Sequence, residues 1–153
     1  MFVFHPEVAD LFRSAGWLPE RRVEIATWEE ALRARGIPIF PAAERVIASV
    51  GGLTVRGPAR VETRWCPRAI TFDPLAGSAG GCEQFERWRE LVGQRLYPLA
   101  DLKPRLCLTV AEDGSLFAGQ KDLFYRYGDT FEEAMALHFL GAGTRPLQGQ
   151  WCD

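Results

Sequence analysis

Val8, Leu11, Phe12 and Ala15 recur at the three- and four-residue spacing of a helix that buries one face. Gly16 follows where a left-handed cap ends such a helix, and the pattern predicts that Trp17 and Leu18 fold back onto it. Thr27-Trp28-Glu29-Glu30 reads as a capping box, in which the Thr27 hydroxyl accepts from the Glu30 amide and the Glu30 carboxylate reaches back. The helix it opens carries Ala31 and Leu32 and stops near Gly36, with Pro38 just beyond. Pro41 suits the first turn of a third helix running through Val46 and Ile47, closed by Gly51-Gly52.

From Leu53 the period changes. Leu53 and Val55 alternate with polar residues, and Val61, Thr63 and Trp65 alternate with Glu62 and Arg64, as in half-exposed strands. Ala69 to Phe72 predicts another short strand, stopped by Asp73-Pro74. A small-residue loop, Gly77 to Gly81, leads into a helix with Phe85, Trp88 and either Leu91 or Val92 on one face and Gly93 at its end. Leu106 to Val110 is apolar enough for a central strand. Asp113-Gly114 signals a tight turn, after which Leu116 to Ala118 returns and Leu123 to Tyr127 adds a strand. Asp129 to Glu132 caps a last helix through Met135, Leu137 and Phe139. Helices first, then hairpin-connected strands with helices inserted, define an α+β class in a single domain.

Bulk properties narrow the function without naming it. At 153 residues the chain can bury roughly 70% of its unfolded surface, so it needs no covalent staples. A net charge of −2 is too small to make nucleic acid or an acidic membrane the main partner. The start, Met1-Phe2-Val3-Phe4-His5-Pro6-Glu7, lacks the basic and apolar regions of a signal peptide, and no apolar run approaches a membrane span. A cytoplasmic location follows as the expectation, with Cys66, Cys82, Cys107 and Cys152 as free thiols and Cys107 filling a strand core.

Reactive motifs are scarce. The nearest cysteines, Cys66 and Cys82, are sixteen positions apart, and His5 and His138 are the only histidines, so neither a metal nor a cofactor is expected. Ala76-Gly77-Ser78-Ala79-Gly80 misses the nucleophile-elbow pattern by its first residue. Neither phosphate-cradling glycine pattern occurs. The adjacent acids Glu29/Glu30, Glu112/Asp113 and Glu132/Glu133 fit capping and turn roles, with Glu30 and Glu132 as caps. Charge is uneven along the chain. Arg56, Arg60, Arg64 and Arg68 face only Glu62, whereas acids outnumber bases from Glu112 to Glu133. A solvated sheet face explains the arginines most simply; basic and acidic regions on one surface also suit protein binding.

Leu11 to Pro19 with Arg21-Arg22-Val23, Glu29 to Leu32 before Gly36, and Phe40-Pro41-Ala42-Ala43 together resemble the opening of the third branch of the SUKH superfamily of immunity proteins. The same resemblance continues through Gly51-Gly52-Leu53, Phe72-Asp73-Pro74, Gly93, Leu96-Tyr97-Pro98, Asp113-Gly114 and Gly128 to Ala134. It covers about Leu11 to Leu140, which leaves residues 1–10 as a lead and 141–153 as a tail. It implies a curved, mainly antiparallel or mixed sheet flanked by helices. It also implies a bacterial protein that binds and blocks a cognate secreted toxin domain, often a nuclease or nucleic-acid deaminase, by protein–protein contact. No catalytic residue carries over from the resemblance, and no toxin contact does.

The stretches outside the matching marks are where partner-specific contacts belong. Arg60, Arg64, Trp65 and Arg68, with Asp73 and Glu83, are the candidate partner-binding residues. The expected partner is the toxin domain, with no membrane and no direct nucleic acid; weak self-association is compatible with the sequence. Two alternatives stand beside this reading. One is a small enzyme built from scattered residues, with Asp73, Glu83 and His138 as first suspects; the other is a scaffold or regulatory module without a toxin partner.

Overall fold

Leu96–Leu102, a run the alternation pattern does not assign to a strand, is the strand around which the others are arranged. A computed structural model describes residues 2–57, 69–77, 82–102, 106–120 and 123–140. In chain order its elements are helices α1 (Pro6–Ser14), α2 (Ala26–Ala34) and α3 (Pro41–Val50), strands β1 (Thr54–Arg56) and β2 (Ala69–Thr71), and helices α4 (Pro74–Gly77) and α5 (Cys82–Val92). Strands β3 (Leu96–Leu102), β4 (Leu106–Ala111), β5 (Leu116–Gln120) and β6 (Leu123–Gly128) and helix α6 (Phe131–Leu140) complete it. Among the described residues the strands form one antiparallel sheet in sequence order, β1 to β6, which confirms the α+β class. Pro98 in β3 explains why its pattern reads poorly as a strand, since proline cannot donate to a ladder. The register shifts between Pro98 and Ala100, and this irregularity accommodates it.

The registers set two faces. Val55, Ile70 and Leu102 follow one another across the sheet on one face, and Ala100, Leu108 and Ala118 continue that face one pair further along the strands. Helices α1, α3 and α6 contact the sheet strands, and their rings form a cluster in which Phe12 meets Phe4, Phe72 and Phe139, while Phe131 meets Phe2 and Phe4. Phe2, Phe4 and Val8 at the chain start are buried members of this core. Thr54, Thr71, Asp101, Cys107 and Gly119 follow one another on the opposite face. There α5 lays Trp88 against Phe124, with ring centroids 5.1 Å apart, and Phe85 beside Trp88. Beyond α5, Thr54, Arg56 and Thr71 on this face are exposed, and the two threonine hydroxyls lie 3.0 Å apart.

Several local expectations change. Gly16 has φ +105° and ends α1 as read from sequence, and Trp17 is buried with its indole donating to Ser49 Oγ at 3.0 Å. Leu18, however, is 54% exposed: the chain turns away after Trp17, so only the indole packs back. The capping box at Thr27 does not form. Helix α2 starts two residues earlier than that motif allows, at Ala26, which places Thr27 inside the first turn; the Glu24 carboxylate accepts from the Ala26 amide instead. Glu29 pairs with Arg33 one turn on. In α5 it is Val92 that packs against the core and Leu91 that is exposed. At α6 the cap is Thr130, whose Oγ1 accepts from the Glu133 amide at 3.1 Å, and Glu133 rather than Glu132 reaches back, to the Asp129 amide. The strand expected over Val61 to Trp65 and the loop from Ser78 to Gly81 lie outside the described residues.

Candidate partner-binding surface

Both ends of the sheet carry charge, and the strand order separates them. Arg56 pairs with Ala69 in the β1–β2 ladder, so the connection 57–68 leaves and re-enters the sheet at one point. Arg60, Arg64, Trp65 and Arg68 belong to that connection and lie outside the described residues. Asp73 is described, and its carboxylate is occupied locally: Oδ1 accepts from the amides of Leu75 at 3.0 Å and Ala76 at 3.4 Å, opening α4. Glu83 sits in the first turn of α5, with its side chain outside the described residues.

His138, the third catalytic suspect, is buried on α6, where its Nδ1 meets the Tyr127 hydroxyl and its ring packs on Phe139. Asp73 and His138 are thus each committed to a separate structural contact. Among the described residues no group of three or more potential ligands could hold a metal ion. Cys107 fills the sheet core, and burial, with Asp101 adding to it, pushes its thiol well above the usual range.

At the opposite end of the sheet lies a feature that sequence spacing does not reveal. Between the C-terminal half of α5 and the β4–β5 turn is an open groove of about 460 Å³. Helix α5 contributes Glu86, Arg89 and Glu90; the link after it contributes Gln94 and Arg95; the turn contributes Glu112. Hydrogen bonds fix its walls. Gln94 donates to Asp113 Oδ2 at 3.1 Å and accepts from the Asp113 amide at 3.0 Å. The Arg95 amide donates to Glu112 Oε1 at 2.9 Å, and its guanidinium meets both carboxylate oxygens at 3.2 Å while lying over Phe40. Hydrogen bonding from the Arg95 side chain holds Glu112 below the usual carboxylate range, and the Ser115 hydroxyl does the same for Asp113. Gly114, with φ +91°, lets the turn close.

A family model described as SUKH-3 immunity protein matches residues 4–139, nearly all of the described fold. The chain belongs to the SUKH-3 immunity protein family. The family confirms the resemblance read from the ordered marks and supports an immunity function for this SUKH-3 protein. No curated protein and no solved structure matches it. Among its described residues no helix is long and apolar enough to cross a membrane.

Proposed function

We propose that this SUKH-3 protein acts in the cytoplasm and neutralises a cognate toxin domain by binding it directly, the toxin being of the nuclease or nucleic-acid deaminase class. The observation that carries this reading is the family match over residues 4–139. A stable complex of this kind buries roughly 1,600 Å² in total, with aromatic or arginine anchors near its centre. Arg60, Arg64, Trp65 and Arg68 supply such residue types on the β1–β2 connection, and Asp73 and Glu83 are the remaining proposed contacts.

The test is co-expression with the toxin domain encoded beside this chain, followed by co-purification of the two. Restored growth together with a stoichiometric complex supports direct neutralisation. Growth restored without a complex, or no protection, refutes it.

A further inference from the structure

We draw no further inference here: the strongest candidate, the open groove between the C-terminal half of α5 and the β4–β5 turn, has its arginines Arg89 and Arg95 already paired with Glu86 and Glu112, and nothing in the structure shows what covers it.

Discussion

The indole of Trp88 occupies the space that a side chain on Gly119 would need: a β-carbon built there would lie 2.6 Å from Trp88 Cζ2 and 2.7 Å from Phe124 Cδ2. Helix α5 is held on the sheet by this contact, so the groove that α5 walls depends on a glycine in the middle of a buried strand. G119A should lower stability by about 1–3 kcal/mol through overpacking, and W88A by about 3–5 kcal/mol through cavity formation. Urea unfolding checks both. A neutral G119A would mean that α5 rides loosely on β5.

Thr130 and Thr27 both precede an acidic pair in the sequence, and only the former caps a helix. T130A should therefore cost about 1 kcal/mol, whereas T27A, inside the first turn of α2, should change stability by well under half of that. Chemical denaturation of the two variants separates the motif that forms from the one that does not.

That contrast shows what local pattern carries. Gly16, Pro41 and Asp113-Gly114 punctuate the chain through backbone chemistry alone, so their roles were readable. Whether Thr27 caps depends on where Val23 is anchored, and its amide bonds to Ala48 O of α3, a partner distant in sequence. β3 was hidden by Pro98, which is tolerated because of a register shift that no local pattern announces. The groove was hidden for the same reason. Glu86 and Glu112 line one groove only because β4 runs back beside β3 and returns the chain to the end of α5. The family itself was legible, because its marks are the turns and caps that local chemistry dictates. The proposed toxin contacts from Arg60 to Arg68 lie between those marks, where local backbone chemistry dictates little.

Tyr97 is fully buried against Phe40, and its hydroxyl has no hydrogen-bond partner among the described residues. Burial, aided by Glu29 and partly offset by Arg33, pushes this phenol up to about 12. The folded state therefore holds the proton more tightly than the unfolded chain does. Stability should be intact below pH 10 and fall as the pH rises from about 10 to about 12. Y97F should remove that part of the decline. At neutral pH it should leave the protein unchanged or up to about 1 kcal/mol more stable, since no satisfied bond is lost. Unfolding midpoints of wild type and Y97F across this range test both statements; a marked loss in Y97F at pH 7 would reveal a partner for the hydroxyl.

Cys107 should resist alkylation in the native state. Its sulfur is buried in the sheet, and the thiolate that would react is disfavoured there. Iodoacetamide at pH 8, followed by peptide mass spectrometry, should label Cys107 only after denaturant is added. Rapid native labelling would mean that the strands around β4 open readily.

Asp113 gives the opposite pH signature to Tyr97. The Ser115 hydroxyl first, then the Ser115 amide and Gln94, hold its carboxylate below the ordinary aspartate value of 3.8, while partial burial opposes them. Its contribution is therefore present above that value and is lost as the pH falls through the lower folded-state value. The group is largely solvated, so the effect on global stability should be small, and the sharper readout is local. In wild type the Ser115 and Gly114 amide resonances should move with the carboxylate below pH 4, and in D113N they should not titrate. D113N should also loosen the turn from Gln94 by removing the acceptor at 3.1 Å.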